Sequence, residues 1–337
     1  MRKSVLMMIA SVMMAAAFLL TGCDGGSGDL GGSDKPQSSS QTAQQKPDLS
    51  AFEKLVEKEG NEVSAGSIKV KTLTLESDIQ GLASPGYMPE MAFWDDSIYA
   101  VTKAGMLQKL TLKDKKLVVE KDALASDVEY VLGTDGRRVY FRCKKDRMPH
   151  ALLDDKDVGA VYPKPAYLTP SPDLKTAFTW SNSGAIQKVE ATSDGKFAEP
   201  PKDVKFMPTD NPYITAGWFS IVGDRMIVQG RAKNDTNKDD IFVREHDFSG
   251  ELITTYGPSK DLSHGSYYLT EKYMLHARAN SKGLDFYDRK SGNQVGNLTT
   301  KQLDINSTYG CQIGANTIAL LDHWGSKPKL VLIQVEQ

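Results

Sequence analysis

Ser97-Ile-Tyr-Ala-Val-Thr102 and Arg138-Val-Tyr-Phe-Arg-Cys143 are two copies of one pattern that decides the fold. The series continues in Lys175-Thr-Ala-Phe-Thr-Trp180, Arg225-Met-Ile-Val-Gln-Gly230, Tyr273-Met-Leu-His-Ala-Arg278 and Thr317-Ile-Ala-Leu-Leu-Asp322. Their starts lie 41, 37, 50, 48 and 44 residues apart. Each is a short apolar run rich in β-branched and aromatic residues, the composition of a buried strand. Each follows a polar turn: Asp95-Asp96, Asp135-Gly136, Pro172-Asp173, Gly223-Asp224, Glu271-Lys272 and Ala315-Asn316. Most are followed by a second turn and strand, as in Gly105–Leu112, Gly184–Ala191, Ile241–Phe248, Gly283–Arg289 and Pro328–Val335.

A repeat of about 44 residues with about four short strands per unit predicts an all-β fold, a six-bladed β-propeller over residues 64–337. The sixth unit is one strand short, because the chain ends at Gln337. Ile68-Lys-Val-Lys-Thr-Leu-Thr-Leu75 is a spare alternating strand ahead of the first unit. Supplying it to the last blade closes the ring and removes exposed sheet edges. The same strands would also suit a large β-sandwich or two small β domains. Before residue 64, Ser50-Ala-Phe-Glu53 has the capping-box pattern, and Phe52, Leu55 and Val56 share one face. A short helix over residues 51–60, stopped by Gly60, is expected to pack on the outside of the main domain.

Two units resemble a named repeat. Ser171-Pro-Asp-Leu-Lys-Thr-Ala-Phe178 and Thr134-Asp-Gly-Arg-Arg-Val-Tyr-Phe141 are similar to the Ser-Pro-Asp-Gly-x-x-Ile-Ala-Phe repeat of TolB-like six-bladed propellers. The likeness covers two of six blades and departs at Leu174, where that family has Gly. It implies a fold and carries no function.

The N-terminus has Met1-Arg2-Lys3 followed by an apolar run from Val5 to Leu20, the layout of a secretory signal peptide. A plain membrane anchor is the competing reading, but 16 residues fall short of the roughly 20 that a spanning helix needs. Leu20-Thr21-Gly22-Cys23 then resembles the lipobox of bacterial lipoproteins. By that resemblance residues 1–22 are removed and Cys23 carries diacylglycerol, so the chain is held on a cell membrane at its exported face. In enterobacterial lipoproteins an Asp in the place of Asp24 resembles an inner-membrane retention signal. Residues 24–50 contain almost nothing apolar and read as a tether between lipid and domain.

Lys and Arg total 41 against 43 Asp and Glu, a net charge of −2. There is no basic excess to recruit nucleic acid. Beyond Cys23 only Cys143 and Cys311 remain; they form no CxxC and are expected to be free, buried thiols. HExxH, GxSxG, GxxxxGK and the sialidase Asp-box are all absent. No cofactor is therefore expected, with one alternative. Asp235, Asn237 and Asp239 have the alternate spacing of a calcium loop, although Asp240 replaces its Gly and His246 its closing Glu. The five histidines are scattered over different units.

Tyr87, Tyr130, Tyr167, Tyr213, Trp218, Tyr267, Tyr268 and Tyr309 all precede a repeated strand by a few residues. In a propeller that is the innermost strand, beside the central channel. Aromatics there either pack between blades or form a binding rim for a peptide or sugar. The leading expectation is a non-catalytic binding or scaffolding module whose partner is an envelope protein, a peptide or a glycan. The alternative is an envelope hydrolase or lyase acting on glycan or ester substrates, with Glu90, Asp127, Glu129, Asp210 and His264 near the channel. A calcium-dependent adhesion module is the third.

Overall fold

The computed structural model describes residues 49–77, 82, 91–180, 185–203, 215–233, 239–262, 265–278, 283–305, 309–322 and 328–336. Residues 1–48, which hold the expected signal segment, Cys23 and nearly all of the expected tether, lie outside them. The strands form six antiparallel sheets. The chain opens with helix α1 (Ala51–Glu59) and a hairpin of β1 (Asn61–Ala65) and β2 (Ile68–Glu76).

Blade 1 consists of β3 (Met91–Trp94), β4 (Ser97–Val101), β5 (Leu107–Lys113) and β6 (Lys116–Ala125). Blade 2 is β7 (Val128–Thr134), β8 (Arg138–Cys143), β9 (Pro149–Leu153) and β10 (Lys156–Ala160). Blade 3 is β11 (Thr169–Pro170), β12 (Thr176–Trp180), β13 (Ile186–Glu190) and β14 (Lys202–Asp203). Blade 4 is β15 (Thr215–Val222), β16 (Arg225–Lys233), β17 (Asp239–His246) and β18 (Leu252–Tyr256). Blade 5 is β19 (Gly265–Leu269), β20 (Tyr273–Arg278), β21 (Gly283–Asp288) and β22 (Gln294–Leu298). Blade 6 takes β23 (Tyr309–Gly314), β24 (Thr317–Asp322) and β25 (Lys329–Val335) from the C-terminus and β2 and β1 from the N-terminus.

The first strands of the blades touch in cyclic order, β3 to β7 to β11 to β15 to β19 to β23 and back to β3. This closes a six-bladed β-propeller. The spare strand expected over residues 68–75 does complete the last blade: β2 pairs with β25 from Val70↔Val335 to Glu76↔Lys329. Strand β1 adds a fifth member that the pattern did not announce. Four of its five residues are at least partly exposed, so it carries no apolar alternation to read.

The repeated segments are the second strands of their blades. All five residues of β4 and all six of β24 are buried. Neighbouring blades cover both faces of such a strand, so it is apolar throughout rather than alternating. Turn chemistry fixes the registers. Asp95-Asp96, Asp114-Lys115 and Asp154-Asp155 all have φ between 49° and 63°, as a two-residue hairpin with matching twist requires. In the two TolB-like segments one aspartate organises the turn. Asp135 Oδ1 accepts from the backbone N–H groups of Arg137 and Arg138 at 2.9 and 2.7 Å. Asp173 Oδ1 does the same for Lys175 and Thr176 at 2.8 and 2.9 Å. Gly136 has φ of 84° and Leu174 has φ of 60°, so Leu174 occupies a left-handed position that favours the Gly of the family pattern.

Helix α1 has the expected cap. The Glu53 N–H donates to Ser50 Oγ at 3.1 Å, and the Ser50 N–H donates to Glu53 Oε2 at 2.9 Å. Phe52 and Val56 are fully buried in a core shared by blades 6 and 1. The Phe52 ring meets Phe93 edge-on with centroids 5.8 Å apart. The helix therefore packs where the ring closes.

Candidate functional site: the central cavity

A cavity of about 340 Å³ opens where the six innermost strands converge. Every blade contributes to its wall. Aromatic side chains dominate: Phe93 and Trp94 from β3, Tyr167 ahead of β11, Trp180 from β12, Phe219 from β15, and Tyr267 and Tyr268 from β19. Trp180 and Phe219 pack with centroids 5.0 Å apart. The polar lining is neutral and sparse, with Thr134, Thr169, Ser220, Ser266 and Gln312. No carboxylate, lysine, arginine or histidine stands among the described lining residues. The wall's Cys311 is buried, and that burial pushes its thiol up to about 12, so it is not a thiolate nucleophile at neutral pH.

Several wall residues are fixed from behind. Gln312 Nε2 donates to the carbonyls of Leu269 at 2.9 Å and Gly314 at 2.6 Å. Tyr267 donates its hydroxyl to the Leu262 carbonyl at 2.9 Å, and its ring stacks on His276 with centroids 4.9 Å apart. The Arg142 guanidinium lies over the Tyr167 ring at 4.1 Å, and Tyr130 flanks that ring at 6.1 Å. A pocket with rigid aromatic walls, neutral polar spots and no charge suits an uncharged group with apolar or aromatic faces.

The proposed rim aromatics occupy different environments. Tyr130, Tyr167 and Tyr309 are half-buried. Tyr267 and Tyr268 are only 3% and 4% exposed, so they act as wall and inter-blade packing rather than as an open rim. Trp218 sits on β15 opposite Gln229, beside a register shift. Tyr87 and Tyr213 lie outside the described residues. Of the acid–base candidates, Asp127 is exposed and Glu129 faces Arg142 at 3.4 Å; neither lines the cavity. Glu90, Asp210 and His264 lie outside the described residues, as do Asp235 and Asn237. Asp239 opens β17 opposite Lys233. Cys143 and Cys311 are both buried and unbridged.

Pattern reading missed Phe93, Trp94, Trp180 and Phe219. Trp94 stands directly before the Asp95-Asp96 turn, a position at the end of an innermost strand. It also missed the turn between β8 and β9, where ligand atoms of Cys143, Asp146 and His150 lie within 4.8 Å of one another.

Behind the Tyr267 wall, Asp285 is fully buried. Its Oδ2 is 2.9 Å from Arg278 Nε, and its Oδ1 accepts from Gln294 Nε2 at 3.0 Å. Burial nonetheless pushes its carboxyl up to about 6, with Arg278 pulling the other way and Asp261 adding to the rise. The folded pKa is thus above the unfolded value of about 3.9. The neutral acid is the form favoured by folding, so this contribution is complete below about pH 4. It is lost as pH rises through about 6. In urea titrations from pH 4 to 7, the stability of the parent relative to Asp285→Asn should fall by about 2–3 kcal/mol. A constant difference across that window would refute this account.

Comparison with known proteins adds little beyond architecture. No protein-family model and no curated protein matches the chain. Solved structures similar to it include the β-propeller domain of Myceliophthora thermophila Cps50 (Swd1), at 11% identity over 77% of this chain and 99% of that one, TM-score 0.46. Another is a Bacteroides fragilis protein described as exported, at 10% identity, 83% and 98% coverage and TM-score 0.46. A third is the PQQ-bound aldose sugar dehydrogenase of Streptomyces coelicolor, at 13% identity, 79% and 99% coverage and TM-score 0.44. Likeness this distant says nothing about activity; the fold rests on the strand pairing itself. Among the described residues no helix is long and apolar enough to cross a membrane.

Proposed function

We propose that this chain is a lipid-anchored envelope protein whose propeller is a non-catalytic binding module. Its central cavity receives an uncharged apolar or aromatic group, presented by an envelope protein or peptide. The observation that carries this reading is the cavity wall. Seven aromatic rings from four blades face a space of about 340 Å³ in which no described lining residue is charged. General acid–base chemistry near neutral pH is best served by a carboxylate, His or Lys within reach of substrate; the described wall has none, and burial pushes Tyr267, Tyr268 and Cys311 up, away from neutrality. Aromatic faces would also stack on a sugar ring, so a glycan is the competing ligand. The anchor rests on Leu20-Thr21-Gly22-Cys23 and the polar stretch behind it.

The test is crosslinked capture from the native envelope, comparing the parent with Thr169→Trp. That substitution adds an indole at a half-buried wall position and fills the cavity without breaking a blade. Specific capture of a protein or peptide that Thr169→Trp abolishes, at unchanged melting temperature, is the expected result. Identical capture by both proteins would place the binding surface elsewhere. A Cys23→Ser chain should leave the membrane fraction, and its retention there would overturn the lipid anchor.

A further inference from the structure

We propose that the turn joining β8 to β9 in blade 2 is a zinc-class metal site built from Cys143, Asp146 and His150. The three offer a sulfur, a carboxylate oxygen and an imidazole nitrogen, all within 4.8 Å of one another. That donor set is the one zinc takes. A thiolate disfavours calcium and magnesium, which prefer oxygen alone. Thiolate and carboxylate together neutralise a dication, and three protein ligands leave a fourth position for water.

The turn holds these groups ready. The Cys143 N–H donates to the Met148 carbonyl at 3.1 Å, and the Arg147 N–H donates to the Cys143 carbonyl at 3.0 Å. Asp146 is oriented at both oxygens. Its Oδ1 accepts from the Met148 N–H at 2.9 Å, which turns Oδ2 towards His150 Nε2 at 3.1 Å. Without a cation the two groups are hydrogen-bonded, and the same separation suits two ligands of one small cation.

The other ring nitrogen is buried and makes no hydrogen bond. His150 Nδ1 faces Asp157 Oδ1 at 3.5 Å, from β10 of the same blade. A small approach of that carboxylate would let Nδ1–H donate to it and leave Nε2 for the metal. Phe141 packs on the ring with centroids 5.5 Å apart. Cys143 is buried, whereas Asp146 is 37% exposed and leaves an entry path. Lys144, Lys145 and Arg147 are exposed at the same turn, so water and salt screen their charges.

The experiment uses the full chain carrying Cys23→Ser, so that only Cys143 and Cys311 remain as thiols. After chelator stripping it is titrated with Zn²⁺, and in parallel with Co²⁺ while near-ultraviolet thiolate-to-cobalt absorption is followed. One equivalent of zinc and a thiolate–cobalt band are expected. Cys143→Ser should abolish the band. His150→Gln should weaken zinc binding about tenfold or more, and Asp157→Asn about 10–100-fold with the band retained. Cys311→Ser, a cavity-wall change in another blade, should leave the zinc stoichiometry and the cobalt band unchanged. No stoichiometric zinc, or a band that survives Cys143→Ser, would overturn the site.

Discussion

Glu245→Ala should destabilise the propeller by about 3–5 kcal/mol, as measured by urea unfolding near neutral pH. Glu245 lies on β17 and is completely buried, which is tolerable for a carboxylate only with full compensation. The Tyr256 hydroxyl donates to Oε2 at 2.7 Å, and Arg289 Nε donates to the same oxygen at 3.1 Å. A second Arg289 nitrogen reaches Oε1, and Arg225 Nε stands 3.5 Å from that atom. Arg289 follows β21, so the network ties blade 4 to blade 5. It also donates to the Thr270 carbonyl at 2.8 Å. Removing the carboxylate strands a buried hydroxyl and a largely buried guanidinium, and those orphaned groups set the size of the effect. Glu245→Gln should lose less, because it keeps the shape and one acceptor. The Glu245→Ala and Arg289→Ala pair should be clearly less destabilising than the sum of the two. A loss below about 1 kcal/mol for Glu245→Ala would mean that the network is not an inter-blade tie.

That network also marks the boundary of what sequence alone could reveal. Glu245 sits in a charged run, Arg244-Glu245-His246-Asp247, that reads as a solvated strand end. Only pairing between blades shows it to be buried. The blade count was legible because second strands such as Thr317–Asp322 are covered on both faces and must be apolar at every position. Outer strands left little trace. Lys156–Ala160 is exposed or half-exposed throughout, and β11 and β14 are two residues each. The closing strand could be read because Ile68 and Val70, then Leu73 and Leu75 on the opposite face, stand between polar residues and the last unit lacked a partner. The cavity was half visible. Tyr167, Tyr267 and Tyr268 stood out by their position before repeated strands, while Trp180 ends a repeated strand and gave no positional signal. The turn cluster was hidden for a different reason. Zinc spacing is recognisable in sequence as paired cysteines or paired histidines, whereas Cys143-x2-Asp146-x3-His150 uses one of each ligand type.

Thr72→Pro should be the most damaging single change in the closing strand, lowering stability by at least about 3 kcal/mol. Thr72 is central in its sheet, opposite Asn61 on β1 and Ile333 on β25. Proline there removes a ladder hydrogen bond and puts a ring where a neighbouring strand must lie, and such residues survive only at sheet edges or bulges. The consequence is larger than one lost bond, because among the described residues β2 is the one strand that pairs N-terminal chain with the C-terminal three strands of blade 6. If β2 detaches, β25 becomes an exposed edge that is apolar along Leu330–Ile333 and open to pairing with another molecule. Size-exclusion chromatography should therefore show association in Thr72→Pro, together with the lower urea midpoint. Thr72→Val keeps the backbone donor and the β-branched shape, so it should stay monodisperse and within about 1 kcal/mol of the parent. Helix α1 contacts β2, β23 and β25, so the first described element rests on the strand that closes the ring. Association in the proline variant with β2 still protected from amide exchange would refute the latch. Slow exchange across Val70–Leu75 in the parent, lost together with solubility in Thr72→Pro, is the outcome that a ring closed by its N-terminal strand requires.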